Sequence, residues 1–285
     1  MDYPHKSFLE YLPILCCPHC KAPLKLDEGT LECQNSHCNR SYPIVDGKPI
    51  LINEENSLFS IADYLTVPDK VSIDRESNIT SRLKKFKRLY FSLSADLGAR
   101  DRLRKVREVV HESSSSPTVV VIGAGTEGAG MQEVYDDSSL MLINTDVSIT
   151  ASASIICDAH DLPFTEGSID GVIVQAVLEH VIDPQRCVVE MYRVLKDTGI
   201  VYSEIPFMQQ VHLGRLDFTR FTHLGHRRLF RHFEEIDSGL VAGPGTSLAW
   251  CCTYLLRSFV KSRAAHKIVA SYIAPMVFSW LRYFD

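Results

Sequence analysis

Apolar residues in this chain fall into short continuous runs separated by stretches with helical spacing. The runs at 119–122, 140–144, 154–157, 171–175 and 200–205 are rich in β-branched side chains, the pattern of parallel strands covered on both faces. Between the last two, Val188, Met191, Tyr192 and Leu195 recur at helical spacing behind Asp183-Pro184, which suit an N-cap and a first turn. Leu83, Phe86, Leu89 and Leu93, then Leu103, Val106 and Val110, predict two further helices, which Ser113 to Ser116 and Pro117 end. Strand alternating with helix predicts an α/β, doubly wound, Rossmann-like sheet with a ligand across the carboxyl ends of its strands.

The flanks differ from this centre. Residues 24–31 have the look of a hairpin, whereas residues 53–80 are polar and weakly periodic, as a linker is. Near the other end, residues 248–256 and 268–281 are strongly apolar, yet each run is shorter than the ~20 residues a spanning helix needs. Arg257, Lys261, Arg263 and Lys267 lie between them, so packing helices or an interfacial patch with basic flanks are expected. No sixth or seventh strand is evident after residues 234–237, which predicts an abbreviated sheet edge. The resulting division is 1–55, a small cysteine-bearing module; 56–116, linker and basic helices; 117–240, the α/β domain; and 241–285, apolar helices.

Composition adds two constraints. The chain has 285 residues and a formal net charge of −5, yet residues 81–112 hold an excess of six cations. A solvated helix face is the ordinary explanation, and a surface for phosphate-bearing substrate, nucleic acid or anionic lipid is the sharper one. Nine cysteines are present, but five lie between Cys16 and Cys38, so they form a local cluster and not a distributed disulfide framework. Residues 1–10 contain no apolar leader, and a reducing cytoplasm is the expected compartment, with peripheral contact at the inner membrane face through the C-terminal segment.

The cysteine cluster carries chemistry. Cys17-Pro-His-Cys20 supplies one thiolate pair, and Cys33 with Cys38 a second; four thiolates suit a closed tetrahedral zinc site. Four residues separate the second pair where two are usual, which leaves His37 as an alternative to Cys38 and Cys16 as an alternative to Cys17. A segment of about 40 residues has too little apolar surface to fold without such a staple. With Ser41-Tyr-Pro-Ile-Val-Asp-Gly-Lys-Pro-Ile, this segment resembles the small zinc-ribbon family that activates RNA and protein methyltransferases.

The second signal is the turn Val119-Val-Val-Ile-Gly-Ala-Gly-Thr-Glu-Gly-Ala-Gly130. Its glycines let the backbone approach a ligand, and a helix starting near Gly128 would aim N–H groups at it. Gly123, Gly125 and Gly128 fit the GxGxxG of a dinucleotide fold, and Asp146 could hold a ribose in a dinucleotide or in another nucleoside cofactor. Four motifs downstream of the turn separate these two cofactors: Cys157-Asp-Ala-His-Asp-Leu-Pro-Phe164, Ser168-Ile-Asp-Gly-Val-Ile-Val174, Leu178-Glu-His-Val181 and Glu190-Met-Tyr-Arg-Val-Leu-Lys196. In that order and spacing the chain resembles a class I S-adenosylmethionine-dependent methyltransferase of the type 11 kind, with Glu127 standing where the usual turn has its third glycine. The resemblance implies that Gly123 and Gly125 line the methionine and ribose of S-adenosylmethionine, that Asp146 accepts from the ribose hydroxyls, and that Asp158 with Ala159 meets the adenine. The plainer alternative is that Asp146 and Asp158 cap turns after strands.

The acceptor is less legible. His212-Leu-Gly-Arg-Leu-Asp-Phe-Thr-Arg-Phe-Thr-His223 resembles a segment of methyltransferases associated with cell-surface glycan assembly. It implies that His212, Asp217 and Arg220 line the acceptor pocket, with His212 the leading base; the plainer alternative makes Asp217 and Arg220 a loop-ordering ion pair. His180 is as readily structural as catalytic. No Asn-Pro-Pro-Tyr or Asp-Pro-Pro-Tyr comes after the fourth strand of the domain, and no Pro-Cys pair stands there, which argues against methylation of base nitrogens or a pyrimidine carbon. O-methylation of a glycan or lipid-linked saccharide is the expected reaction. RNA methylation, and a non-catalytic scaffold or activator, are the alternatives.

Overall fold

The computed structural model describes residues 7–66, 96, 98–212 and 214–285. The expected helix through Leu83, Phe86, Leu89 and Leu93, and half of the expected linker, lie outside the described residues.

Nine strands form one sheet: β1 (Leu24–Asp27), β2 (Thr30–Cys33), β3 (Ser41–Val45), β4 (Lys48–Leu51), β5 (Thr118–Ile122), β6 (Met141–Asp146), β7 (Ile155–Cys157), β8 (Ile169–Gln175) and β9 (Leu195–Glu204). Their order is β1-β2-β3-β4-β7-β6-β5-β8-β9. From β7 to β9 every pairing is parallel. The order reverses at β5, where β6 lies on one side and β8 on the other; this is the switch point at which open α/β sheets bind ligands. Among the described residues no strand comes after β9.

The inner strands are buried on both faces because their side chains alternate between two clusters. Val119 and Val121 pack with Leu103 and Val110 of helix α2 (Ala99–Ser113), while Val120 and Ile122 pack on the other face with Met191 and Val194 of helix α4 (Pro184–Val194). Asp183 caps α4 by accepting from the Arg186 N–H, and Pro184 occupies its first turn. Leu195, assigned to this helix by spacing, is already the first residue of β9, and Tyr192, though in the helix, is 56 % exposed, set edge-on against Phe233 in place of the core.

The cysteine module is not a separate sheet. The hairpin predicted at 24–31 extends to Cys33, and after a second hairpin β4 pairs in parallel with β7, Ile50 opposite Ile156 and Leu51 opposite Cys157. The added strand is covered on both sides, Leu51 by the large cluster and Ile50 and Ile52 by a third cluster with Tyr64 of helix α1 (Ile61–Thr66). Tyr11, Leu15, Leu31 and Tyr42 of the module share one cluster with Phe164, Ile169 and Met191 of the α/β domain. The small module thereby buries its apolar residues against its larger neighbour, which it could not do within about 40 residues.

Charge completes this seam. Lys21 reaches Glu190 at 2.8 Å, and Arg193 grips the same carboxylate with Nε and Nη2 at 2.7 and 2.8 Å. Arg193 also donates to the carbonyls of Leu162 and Phe164, while the Cys16 N–H donates to Pro163 O and the Thr165 N–H to Ile14 O. The segment 161–165, just beyond the expected adenine site, is thus held between the module and α4.

After helix α5 (His223–Leu229), helices α6 (Pro244–Ser258), α7 (Arg263–Ile268) and α8 (Ala274–Phe278) at the C-terminal end carry the expected apolar runs. No helix of the described residues is long and apolar enough to cross a membrane.

Candidate functional site

The glycine turn leaves β5 with Gly123 at φ +75°, a left-handed conformation that favours glycine. A Cβ on Gly123 would meet Val177 Cγ2 at 2.3 Å, and one on Gly125 would meet Asp146 Oδ2 at 2.8 Å. Asp146, at the end of β6, anchors the turn: Oδ2 accepts from Gly125 N at 2.7 Å and Oδ1 from Ser148 N at 2.7 Å. A carboxylate has about four acceptor positions, so this anchoring is compatible with contact to a ribose. Glu127, the residue in place of the third glycine, is drawn aside by a hydrogen bond from Gln132 Nε2.

The helix expected from Gly128 is shorter and later. Helix α3 spans only Gln132–Tyr135, because Gly130 at φ +77° breaks the helical path and packs against the Ala99 backbone. The turn itself presents its backbone to the crevice, without a helix N-terminus at Gly128. The cavity beneath it, lined by Ile122, Gly123, Met131 and Gln175 among others, holds only about 20 Å³, so a nucleoside has room only on the outer side of the turn.

Asp158 ends β7 and caps a short 3-10 turn that begins with Ala159. Its Oδ1 accepts from the His160 N–H at 3.1 Å and from His160 Nδ1 at 2.5 Å; its Oδ2 accepts from Ser57 Oγ at 2.5 Å. His160 Nε2 accepts from the Asp183 N–H at 3.1 Å, which places the His160 proton on Nδ1. Burial alone would raise the Asp158 pKa, but His160 and Ser57 bring it below the ordinary carboxylate value. Ser57 was not legible as a site residue: a serine in a polar stretch carries no local signal, and only the return of the chain over β7 brings it to Asp158.

The loop after β8 runs between these two features, with Val177 against Gly123 and Asp183 against His160. Glu179 and His180 lie in the middle of it. The Glu179 carbonyl accepts from Phe218 N at 2.8 Å and Thr219 N at 3.2 Å, which docks the 212–220 loop onto the rim. His180 Nδ1 lies 2.8 Å from Leu216 O, and His180 Nε2 lies 3.1 Å from His212 Nε2. Burial keeps the His180 pKa below its ordinary value, and burial pushes Glu179 up to about 7.

Of the three residues expected in the acceptor pocket, Asp217 and Arg220 are engaged with each other. Arg220 forms a two-pronged pair with Asp217 and donates further to the carbonyls of Gln209, Gln210 and Thr219. Asp217 accepts from the His212 N–H at 2.9 Å, and the Arg220 guanidinium beside it holds its carboxyl well below the usual range. The pair orders the loop, and His212 is the member that presents a ring to the rim.

In the small module the sulfurs of Cys17, Cys20, Cys33 and Cys38 all lie within 4.8 Å of one another. Cys17 and Cys38 are 3.8 Å apart and Cys20 and Cys33 3.3 Å apart, close to the ~3.8 Å edge of a tetrahedron with ~2.3 Å zinc–sulfur bonds. The Tyr42 hydroxyl lies 3.1 Å from Cys17 Sγ and can donate to it, as outer partners of metal thiolates do. The donor set fits zinc. Of the two alternatives, His37 is exposed, and the buried Cys16 thiol, pushed up to about 11 by burial, lies in the field of Arg193 and Lys21.

Two family models match separate parts of the chain. Residues 131–203 match the family described as Methyltransferase domain, and residues 9–47 match the Trm112p-like protein family. A UPF0434 protein of Ectopseudomonas mendocina is 43 % identical over 47 residues, 16 % of this chain and 77 % of that protein. Among solved structures, a complex containing the Haloferax volcanii Trm112 methyltransferase activator is 25 % identical with a TM-score of 0.36, covering 48 % of this chain and 70 % of the other. A SAM-dependent methyltransferase from Thermotoga maritima is 19 % identical with a TM-score of 0.36, over 54 % of this chain and 78 % of that one.

Proposed function

From the premise that this chain belongs to the Trm112p-like family through its N-terminal module and carries a methyltransferase domain behind it, we propose that it is an S-adenosylmethionine-dependent O-methyltransferase acting on a glycan or lipid-linked saccharide. The observation that carries the reading is the pair His180 and His212, whose ring nitrogens meet 3.1 Å apart where the 212–220 loop docks on the loop between the glycine turn and Asp158 and His160.

The chemistry sets the division of labour. Bound S-adenosylmethionine supplies a methyl group on a sulfonium, and methyl transfer is an in-line displacement that asks the protein mainly to position two reactants. Gly123 and Gly125 take the cofactor's methionine and ribose, Asp146 the ribose hydroxyls, and Asp158 with Ala159 the adenine. Because Leu216 O fixes the His180 proton on Nδ1, Nε2 keeps a lone pair, so the histidine pair can take a proton from an acceptor hydroxyl, with His212 nearer to solvent. Asp217 and Arg220 hold the loop that carries His212 and border the acceptor. Zinc on Cys17, Cys20, Cys33 and Cys38 closes the module and has no open position for chemistry. The module acts here in cis, bracing the segment 161–165.

RNA is less well supported as the acceptor. On α2, Arg102, Arg104, Lys105 and Arg107 are paired with Asp96, Asp101, Asp237 and Glu133, so much of the basic helix face is neutralised within the chain. A lipid-linked acceptor has support in the C-terminal helices, where Leu255, Phe259, Met276, Trp280 and Phe284 are more than half exposed. Calorimetric titration of the zinc-loaded protein with S-adenosylmethionine, repeated on Asp146→Ala, tests the cofactor: binding lost in the variant supports the reading, and no binding to either makes the chain a scaffold. Transfer of labelled methyl to saccharides but not RNA, lost in His212→Ala, tests the acceptor.

A further inference from the structure

We propose that Glu179, His180 and His212 form a second metal site, separate from the four cysteines, that takes a divalent transition-metal ion of the zinc class. The ligating atoms of the three residues all lie within 4.8 Å of one another. His180 Nε2 is 3.1 Å from His212 Nε2 and 3.7 Å from Glu179 Oε1. Ligands ~2.0–2.2 Å from a tetrahedral zinc are ~3.3–3.5 Å apart, so the three donors are already close to ligating positions.

Three further features favour a cation there. First, the outer nitrogens of both rings face oxygen acceptors: His180 Nδ1 lies 2.8 Å from Leu216 O, and His212 Nδ1 lies 3.2 Å from Gln210 O and 3.4 Å from Asp217 Oδ2. Arg220 Nη2 also lies 3.5 Å from His212 Nδ1; with each ring's proton turned to its oxygen acceptor, the two Nε2 lone pairs face each other, an arrangement that a shared cation resolves. Second, Glu179 is 0 % exposed, and among the described residues neither of its carboxylate oxygens has a hydrogen-bond partner. A buried carboxylate without a partner is costly, and the nearest guanidinium, Arg220, is already committed to Asp217 and three carbonyls. A proton on Glu179 and one shared by the histidines would each relieve a single part of the cluster, whereas one metal ion satisfies all three groups. Third, carbonyl and carboxylate partners on the outer nitrogens are the usual second support of metal-bound imidazoles.

The two sites then differ in kind. Four thiolates close a coordination sphere; two imidazoles and a carboxylate leave a position open, as catalytic sites do. An acceptor hydroxyl bound there would lose its proton to water more readily. Its oxygen pair would then form the bond to the methyl carbon as the carbon–sulfur pair returns to sulfur, with His212 serving as ligand in place of free base. That catalytic placement rests on the methyltransferase reading above; the metal site itself does not.

The test uses full-length protein with zinc in its cysteine site, titrated with Co²⁺ in the absence of S-adenosylmethionine and acceptor. One further ion per chain is expected, with weak visible bands and none of the intense ultraviolet absorption of cobalt–thiolate bonds. His212→Ala and Glu179→Gln should each weaken binding by about 100-fold or more, since loss of a mere outer partner costs ~10–100-fold. His212 lies near the surface, so its variant should unfold at the wild-type temperature and serve as the folded control. Failure to bind a second ion, or unchanged binding by His212→Ala, overturns the proposal. Because no cofactor enters the measurement, either result leaves the S-adenosylmethionine titration to stand or fall separately.

Discussion

Two buried polar clusters in this molecule contrast in how completely they are paired. At the seam between the small module and the α/β domain, Glu190 is met by both Lys21 and Arg193, and Asp161 by Asn53, Asn56 and Arg186. On the rim, Glu179 is more deeply buried than either and, among the described residues, accepts no hydrogen bond on either oxygen, with His180 Nε2 at 3.7 Å. Burying a charge is tolerated when it is paired, and both seam carboxylates are, although Asn53 Oδ1 beside them has no partner among the described residues. The unpaired carboxylate of Glu179 is the feature that the proposed second metal would satisfy.

The largest expected effect tests the seam through its metal. Cys20→Ser with Cys33→Ser should abolish zinc in the module; structural zinc contributes ~10–16 kcal/mol to folding of comparable segments. Because Leu31 and Tyr42 share a core with Met191, the whole protein should melt more than about 10 °C lower by calorimetry. A shift of only a few degrees would mean that the module is an independent appendage.

Next comes Glu190→Ala, which strands Arg193 and Lys21 and should cost ~3 kcal/mol, or about 6–10 °C in melting temperature. The same residue gives a pH signature. Burial opposes ionisation of Glu190, but Arg193 and Lys21 outweigh it and bring the pKa below the ordinary 4.5. Its contribution is therefore fully present above pH 4.5 and lost as pH falls through the lower folded value. Acid unfolding of Glu190→Gln should accordingly be less steep below pH 4.5 than that of the wild type.

On the rim, Arg220→Ala leaves Asp217 without its guanidinium and should cost ~2 kcal/mol, with faster proteolysis of the 209–220 loop. Glu179→Gln should matter least for the metal-free fold, moving its melting temperature by less than about 2 °C or raising it, since it removes an uncompensated charge. A large loss of stability in this last variant would make Glu179 an ordinary structural carboxylate and erase the contrast.

Much of this was legible along the chain. Strands β5 to β8 arise from continuous apolar runs to within two residues, and Asp183-Pro184 marks the start of α4. Spacing pointed to the four cysteines but left His37 and Cys16 open as alternatives to Cys38 and Cys17, and the structure draws the four sulfurs together. Where reading failed, a non-local cause is visible: Tyr192 kept helical periodicity but met Phe233 instead of the core, and the helix expected at Gly128 was displaced because Gly130 must pack against Ala99. His212, Asp217 and Arg220 were found as a segment, yet which of them faces the rim depended on carbonyls of Gln209, Gln210 and Leu216 that no side-chain pattern encodes.

By itself the sequence determined the elements: local propensity, period and capping act over a few residues and are written in the order of the chain. Only the tertiary structure decided that β4 of the small module becomes a strand of the large sheet and that Ser57 closes on Asp158. It alone also left Glu179 buried beside two histidines. Burial and the pairing of charges are properties of what lies across a gap, and residues 101 or more positions apart meet there only after the chain has folded.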